Sequence, residues 1–506
     1  MEQHLRMGRL DMRTLFIALA VLLLTACAVG PDYEKPEIDT PEAYRFTDEE
    51  ASDVINTRWW TQFEDPVLDE LIDEGLQANL DVRTAAARVE QFAARLNITR
   101  SELFPQVGYG VGADRQAISR DKANGLGVDS ITTSYEATIN VGWELDVWGR
   151  IRRASEASRA QLLAAEEARR TVILSLVSSV ATSYVSLRRL DRQLEIAIQT
   201  RDLRGESLRL FELQFNGGVI GQLQLSQIQS EYELAVSAVP LIERDIAILE
   251  NLISTLLGRN PGPIPRGRSI DQLTLAQVPE GVPSDLLLRR PDIRQAEQDL
   301  ISNNALIGVA RAAYFPRISL TGLAGFVSGD LDAWFDSDSA VWAAGGGLAG
   351  SIFTGGAISG NVKQAEALQQ QSLYAYQQSI ITALQEVEDA LISTRKAREK
   401  LLSDGRRVEA LKEYARIARL RYDNGFTSYI EVLDSERSLF AAQLTLVDTQ
   451  KDIYVGLINT YKAMGGGWVV LAEEQANEVD FPEGEDSYLP DPAASASYSE
   501  AGAAKQ

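Results

Sequence analysis

Histidine and cysteine are almost absent from this 506-residue chain, since each occurs once, as His4 and Cys27. A Cys/His zinc site, a Ser-His-Asp triad and an intrachain disulfide all need more of these residues than the chain has. No Gly-Lys dipeptide occurs, so a P-loop is excluded too. Counting leaves carboxylate chemistry open, but no constellation supports it. The sequence therefore predicts a protein that is not an enzyme and holds no metal or cofactor.

Basic residues are also few, with 49 Lys and Arg against 72 Asp and Glu and a net charge of −23. A protein that binds nucleic acid through its phosphates needs the opposite sign, so a nucleic-acid partner is disfavoured. Apolar residues make up 45% of the chain and charged residues 24%, which is typical of folded proteins.

A secretory signal is predicted over residues 1–26. Its apolar run, Leu15–Leu24, is too short to span a bilayer as a helix. Small residues then precede Cys27, which resembles the bacterial lipobox, where the cysteine becomes an acylated N-terminus; the alternative is a plain signal with an incidental cysteine. Ala28, rather than aspartate, follows, as in lipoproteins of the outer membrane. An N-acyl diacylglycerol on Cys27 is the one covalent group that we expect.

The body of the chain is duplicated at an offset of about 210 residues. Leu103–Val107 matches Tyr314–Ile318, and Phe215–Gly218 matches Tyr422–Gly425. Each half is predicted to run helix, strand, strand, very long helix and helix. We therefore divide the chain into a signal, a lipidated N-terminal segment, two repeats and an acidic flexible tail, over residues 1–26, 27–80, 81–260, 284–468 and 469–506.

The predicted helices have equal lengths in the two halves. The lengths are 24 residues for Asp81–Phe104 and Asp292–Phe315, 66 for Arg150–Phe215 and Ala357–Tyr422, and 36 for Gln222–Leu257 and Tyr429–Met464. At 1.5 Å per residue the longest helices measure about 100 Å, and the two shorter helices of one half add up to about 90 Å. One long helix can therefore lie beside two shorter ones placed end to end, in an elongated molecule.

Four strands are predicted between the helices. Apolar and polar residues alternate over 17 residues at Ile131–Val147, longer than an ordinary strand and long enough to cross a membrane. The other strands begin near Val107 and Ile318 and lie around Trp342–Ile352. A G-x-G-x-x-G pattern at Gly345–Gly350 falls within the last strand, which disfavours a nucleotide site. Four strands cannot close a barrel in lipid, so the barrel must be shared between chains.

Acidic side chains mark the polar face of the longest strand. Glu136, Glu144 and Asp146 are expected to line the lumen of the shared barrel and to favour cations, since like charges in a low-dielectric tunnel focus the field.

Several motifs resemble those of one family. They are Cys27–Pro36, Trp59-Trp60, Leu145–Arg150, Arg289–Glu297 and Ala310–Pro316. Together they are similar to the TolC-like outer-membrane efflux proteins, and within these to the OprM/NodT-type lipoproteins of resistance-nodulation-division (RND) efflux systems. The resemblance implies a mainly α-helical chain with a membrane β-barrel. Three chains of four strands would form a twelve-stranded barrel, continued by a long α-helical barrel into the periplasm.

The resemblance also implies a function. The chain would be the outer-membrane exit channel of a tripartite RND-type pump, exporting drugs or other small toxic compounds from a Gram-negative cell. Its partners would be two further copies of itself, a periplasmic adaptor and the inner-membrane pump. Two alternatives stay open: a structural lipoprotein that tethers the envelope, and a channel of type I protein secretion.

The resemblance further implies a periplasmic gate beside the second helical turn. Asp434 would form an acidic ring, Arg437 a basic latch and Ile430 an apolar constriction. Glu431 would supply a second acid, and Tyr422 a latch before the turn. From spacing alone, Asp434 and Arg437 are equally well an ordinary i,i+3 pair on one helix.

The lipid on Cys27 and the strands are separate membrane signals, so we expect the strands alone to hold the protein in the membrane. The change Cys27→Ser, behind a conventional cleavable signal, should leave the protein in the membrane fraction after carbonate extraction. Release of the variant as a soluble monomer would contradict the predicted barrel.

Overall fold

The computed structural model describes residues 28–38, 43–46, 58–117, 119–121, 129–275 and 286–465, together with positions 41, 125 and 283. The predicted signal, Cys27 and the tail at 469–506 lie outside the described residues. A 3-10 turn and helix α1 lead into two successive sets of similar elements. In chain order the elements are α1 (Pro66–Ala78), α2 (Leu80–Ser101), β1 (Gln106–Ala117), β2 (Ile131–Leu145), α3 (Arg150–Asn216), α4 (Gln222–Leu256), α5 (Leu286–Arg289), α6 (Pro291–Ala312), β3 (Arg317–Ser328), β4 (Ala340–Ala349), α7 (Ala357–Asp423) and α8 (Tyr429–Ala463).

Equivalent helices of the two halves have identical lengths. Helices α2 and α6 have 22 residues, α3 and α7 have 67, and α4 and α8 have 35. These lengths lie within two residues of those predicted from the sequence. A helix of 67 residues measures about 100 Å. In the first half α2 lies along the early part of α3, where Thr99 meets Ser158, and α4 lies along the later part, where Tyr232 meets Gly205.

The two shorter helices of each half meet end to end, as the sequence predicted. In the first half the Asn79 side chain accepts hydrogen bonds from the backbone N–H groups of Asp81 and Val82 and so caps α2. The same side chain donates to the last carbonyl of α4, at Leu256, over 2.8 Å. In the second half Arg290 donates to the last carbonyl of α8, at Ala463, also over 2.8 Å. Terminal carbonyls that have no partner in their own helix are thus satisfied by the next helix.

The strands form one antiparallel sheet in the order β1-β2-β3-β4. The strands β2 and β3 belong to different halves of the chain and pair from Tyr135 opposite Ser328 to Leu145 opposite Ile318. Among the described residues, β1 and β4 pair on one side only. The sheet therefore has two open edges.

The register divides the sheet into two chemically different faces. Residues directly opposite each other in an antiparallel sheet lie on one face. Over the membrane-length part of the strands, one face holds aliphatic and aromatic side chains and glycine, with Ser328, opposite Tyr135, as a polar residue at its far end: Val107, Tyr109, Val111, Ala113, Tyr135, Ala137, Ile139, Val141, Trp143, Leu145, Ile318, Leu320, Gly322, Ala324, Phe326, Ala340, Trp342, Ala344, Gly346 and Leu348. Many are open to the surroundings; Tyr109 is 86% exposed and Trp342 81%. This face suits lipid rather than water.

The main apolar core lies where the middle of α3 meets α1 and the end of α8. Trp59 stacks on Tyr461 with 5.2 Å between ring centroids. The uncharged stretch of α3 is apolar enough to cross a membrane by composition, but most of it is buried in the fold. Ile173, Val177 and Tyr184 are fully buried there, so this stretch of α3 is a seam between helices.

Asp65 connects this core to the loop after α4. It is fully buried and accepts hydrogen bonds from the Tyr184 hydroxyl over 2.7 Å, from the backbone N–H of Arg268 over 2.9 Å and from that of Val67 over 3.1 Å. Each buried donor left without a partner costs about 1–3 kcal/mol.

The change Asp65→Ala should therefore lower the free energy of unfolding by about 3 kcal/mol or more, since three donors lose their acceptor. Denaturant titration of the detergent-solubilised protein, followed by tryptophan fluorescence, measures this. Asp202→Ala removes an exposed carboxylate of α3 that pairs with the neighbouring Arg201, and it should change stability by less than about 0.5 kcal/mol. Equal effects of the two changes would contradict the role of Asp65.

Candidate functional site: the helical tips and the base of the sheet

Two helical hairpins, α3–α4 and α7–α8, end in the same turn geometry. In the first, Gly218 has φ +73°, its N–H donates to Phe215 and the next N–H, of Val219, donates to Gln214. The second hairpin repeats both bonds around Gly425, with φ +76°. This is the Schellman arrangement, which needs a left-handed residue and so favours glycine. The two tips are therefore close copies.

An apolar cluster joins the two hairpins at their tips. Phe211 of α3 lies 4.3 Å from Tyr429 of α8 and 6.1 Å from Tyr422 of α7, between ring centroids. Val432 is fully buried beside them. Burial raises the pKa of Tyr422 and that of Tyr429. The structure thus places Tyr422 against its own chain, in an aromatic contact between hairpins.

The other predicted gate residues lie on the surface just beyond this cluster. Asp434 accepts a hydrogen bond from Arg437 over 3.0 Å, and the two side chains are 52% and 59% exposed. Ile430 is 58% exposed, although it is apolar. Glu431 lies 3.7 Å from Arg421 of the preceding helix.

All four of these residues lie together in one open groove of 660 Å³ between α4, α7 and α8. Tyr422 is not among the residues that line it. The structure therefore brings Ile430, Glu431, Asp434 and Arg437 together on one surface, whereas Tyr422 is half-buried in the aromatic cluster beside it.

Sequence reasoning missed a set of charged residues behind this groove. Arg204 of α3 is 4% exposed and donates to the backbone carbonyl of Glu231 over 2.6 Å. Its guanidinium lies 5.8 Å from the ring centroid of Phe440 on α8. A signal was present, since Arg204 precedes the buried Phe211 by seven residues and so lies on the same apolar stripe of α3.

At the base of the sheet, one of the three acidic residues expected in the lumen lies outside the strand. The strand ends at Leu145, so Asp146 lies in the following turn, where it accepts hydrogen bonds from the N–H groups of Ile151 and Arg152 at the start of α3. Glu144 holds Arg150 through two bonds of 2.9 and 3.1 Å. The alternating sequence pattern extends past the end of the strand because Asp146, which caps α3, stands where the next polar residue of a strand would be. An acidic residue is favourable at the start of a helix as well as on a polar strand face.

Glu136, like Glu144, stays within β2 on the polar face of the sheet. It lies in the middle of β2, opposite Gly112 of β1, on the face that also carries Thr138 and Asn140. The side chain is exposed, and its carboxylate lies above the glycine, where a Cβ would come within 3.0 Å of it.

The N-terminal segment crosses the base of the sheet and bonds to both halves. Val29 donates to the carbonyl of Trp148 over 3.0 Å, and Ala28 lies against Gly149. Asp32 binds Arg153 of α3 at 2.6 Å, and Lys35 binds Glu297 of α6 at 3.0 Å.

The two strand-to-helix motifs meet at this place. Trp148, of the first half, stacks on Phe315, of the second, with 4.6 Å between centroids, and donates to the carbonyl of Pro316 over 2.8 Å. The residue after Cys27 is therefore held where the strands give way to the long helices.

Known proteins that are similar to this chain include outer-membrane proteins of efflux pumps and outer-membrane channels. A family model described as outer membrane efflux protein matches residues 71–259 and 282–466. The solvent efflux pump outer membrane protein SrpC of Pseudomonas putida is 36% identical over 459 residues, which cover 89% of this chain and 97% of that protein. The cation efflux system protein CusC of Escherichia coli O6:H1 is 36% identical over 454 residues, 88% of this chain and 97% of its own.

The fold agrees with these matches. The crystal structure of the CmeC outer membrane channel of Campylobacter jejuni superposes with a TM-score of 0.84 at 26% identity, and the match covers 90% of this chain and 99% of CmeC. The long helices, the four-stranded sheet and the sequence matches agree across nearly the whole of these proteins. The chain therefore belongs to the outer membrane efflux protein family and is an outer-membrane channel with a TolC-like fold.

Proposed function

We propose that the chain forms, as a homotrimer, the exit duct of a tripartite RND-type efflux pump. The observation that carries the proposal is the sheet, which has an uncharged apolar face and two open edges and passes directly into helices of 67 residues. A tether of the envelope needs the helices but not such a sheet. Transport through the duct requires no catalysis by this chain, since the pump supplies the energy.

The open edges support assembly from several copies. In hydrocarbon an unpaired strand edge is not tolerated, so β4 of one copy pairs with β1 of the next. Three copies of four strands give a closed barrel of twelve. Helix α4 also leaves an apolar stripe at seven-residue intervals, with Leu234 and Leu241 50% exposed and Ile248 59%. Such a repeat is typical of a helix that packs against another, here one of a neighbouring copy.

A periplasmic adaptor and an inner-membrane RND pump complete the proposed system. The named relatives serve solvent and cation efflux, which supports a cargo of drugs or other small toxic compounds. The acyl chains on Cys27 would enter the inner leaflet, since Ala28 is held at the junction of strands and helices. An N-terminal segment that is lipidated and bound to both halves of the chain also favours the efflux branch over type I protein secretion.

The periplasmic end is proposed to close through Asp434 and Arg437, with Ile430 as the apolar constriction beside them and Glu431 as a second acid. Within one chain the pair is exposed and contributes little, as surface ion pairs do. Around a three-fold axis three copies of each side chain come close together. Charge-assisted bonds between neighbouring chains would then contribute about 1.5–3 kcal/mol each.

Removal of both partners should loosen the closed end without unfolding the helices. The double change Asp434→Ala with Arg437→Ala should raise single-channel conductance in planar bilayers. The same change should make cells sensitive to large antibiotics such as vancomycin.

Glu413 and Arg416 supply the matched control. They are also an i,i+3 acid–base pair, 2.8 Å apart and 54% and 63% exposed, on α7. The double change Glu413→Ala with Arg416→Ala should leave conductance unchanged. If the control opens the channel equally, or the first pair has no effect, then Asp434 and Arg437 are a helix-surface contact and not a gate.

The barrel lumen should prefer cations, and Glu136 should carry most of that preference. Glu144 and Asp146 are already neutralised by arginines, whereas Glu136 repeats around the axis as an acidic ring. Reversal potentials under a salt gradient should show cation preference in the wild type and a clear loss in Glu136→Gln. Asp114→Asn, near the end of β1 on the same face, is the comparison, and it should reduce the cation preference less than Glu136→Gln does. Anion selectivity of the wild type would refute the assignment.

A further inference from the structure

The loop between β3 and β4, residues 329–339, is folded back over the apolar face of the sheet. It lies at the end of the sheet that is remote from the long helices. The ring centroid of Trp334 is 5.8 Å from that of Tyr135 on β2 and 5.0 Å from that of Phe335. Phe335 in turn lies 5.6 Å from Phe326 on β3. Tyr135 and Phe326 both belong to the apolar face, so the loop covers its outer end.

Hydrogen bonds hold the loop in this position. At its start the N–H of Asp330 donates to the hydroxyl of Ser328 over 3.2 Å, and Ser328 lies on the apolar face opposite Tyr135. At its end the hydroxyl of Ser339 donates over 2.7 Å to the carbonyl of Ala333, the residue before Trp334. The backbone of the loop therefore directs its two aromatic rings toward the lipid side of the sheet.

The aromatic group lies at the level where the hydrocarbon of the membrane ends. On β2 the pairing with β3 runs from Tyr135 to Leu145, which are ten residues apart. At about 3.3 Å per residue and a strand tilt of about 40°, this stretch crosses about 25 Å of membrane. Membrane barrels have an apolar band of about this height, with aromatic side chains at both borders. Since the helices begin at the inner border, Trp334 and Phe335 lie at the outer one.

The charges of the loop limit how deeply it can enter the membrane. Four exposed aspartates flank the aromatic pair, at Asp330, Asp332, Asp336 and Asp338. Charged side chains are unfavourable in the hydrocarbon but not near its borders, where aromatic rings are favourable. The loop therefore suits a depth at which its rings meet lipid while its carboxylates remain in water.

The position of the rings favours lipid over a neighbouring copy as their contact. Copies would join at the outer edges of β1 and β4, whereas Trp334 and Phe335 lie over the two central strands. Phe335 is 65% exposed, and Leu331 of the same loop is 61% exposed. This exposed apolar surface continues the lipid-facing side of the sheet, so the same lipid is expected to cover it.

We propose that the β3–β4 loop anchors the outer rim of the barrel in the outer leaflet of the membrane. Trp334 and Phe335 lie just below the lipid headgroups, packed on Tyr135 and Phe326, and hold this end of the sheet at a fixed depth. The inference rests on the shared barrel of the proposed function, but it does not depend on the gate or the cargo.

Fluorescence quenching by brominated phosphatidylcholine tests the depth of Trp334. The full-length protein is placed in vesicles whose lipids carry bromine either near the headgroup or near the chain ends. The difference between the wild type and Trp334→Phe gives the signal of Trp334. Bromine near the headgroup should quench most of this signal, whereas bromine near the chain ends and iodide in the water should quench little of it.

Trp342 supplies the matched control. It lies on the same face but deeper, since it is opposite Ala324, which is opposite Ile139, four residues from Tyr135 toward the helices. The signal lost in Trp342→Phe should therefore be quenched most by bromine near the chain ends. Equal depths for the two tryptophans would overturn the assignment of Trp334 to the border.

The outcomes separate the loop from the barrel. If iodide quenches Trp334 and lipid does not, the loop lies in water; if neither quenches it, protein covers the ring. Either result overturns the proposal, while the expected quenching of Trp342 would still support a lipid-facing sheet. If lipid reaches neither tryptophan, the proposed membrane barrel fails as well.

Thiol labelling of intact cells tests the loop without a tryptophan variant. Phe335→Cys and Asp338→Cys each place a thiol in the loop of a chain whose one natural cysteine, Cys27, carries the proposed lipid. A maleimide that cannot cross membranes should react about tenfold more slowly at position 335, since burial of one large apolar side chain contributes about 1.5–3 kcal/mol and Trp334 is retained. Equal rates at the two positions would contradict the proposal.

Discussion

Every backbone N–H and C=O group that enters the hydrocarbon must find its hydrogen-bond partner within protein, and this requirement determines the rest of the structure. The four strands satisfy it between themselves but leave one side of β1 and one side of β4 open. A duplicated chain that supplies two strands per half is thus incomplete in a membrane until copies of it join edge to edge. The apolar outer face can lie in lipid without unpaired strand edges only once the ring is closed.

The helices continue the wall of the barrel away from the membrane. At the base of the sheet, Asp146 caps α3, Glu144 binds Arg150, and Trp148 stacks on Phe315 of the other half. The first strand pair is thereby fixed to α3, a helix about 100 Å long. The end-to-end contacts at Asn79 and Arg290 let two shorter helices follow that length, so the wall of the duct continues without a gap to the hairpin tips.

Much of this could be predicted from the sequence because it depends on short-range pattern. Long stretches almost without proline predicted the lengths of the helices within two residues, and strict alternation predicted β2. The pattern failed at Asp146, since a helix-capping acid after a strand has the same spacing as a lumen acid within it. It also did not reveal that Arg204 is buried beside Glu231, because pairing between helices is not visible in the pattern of either one. The resemblance predicted Tyr422 as a gate residue, and the structure adds that its ring packs on Phe211, a contact that the sequence pattern did not indicate.

The central claim is that the membrane sheet is complete only as a shared barrel. The most direct measurement is the mass of the protein complex extracted from outer membranes in mild detergent, with the detergent contribution subtracted, by light scattering or native mass spectrometry. Three copies per complex are predicted, which gives twelve paired strands. A complex that contains a single chain, with its strands still protected from hydrogen exchange, would contradict the account.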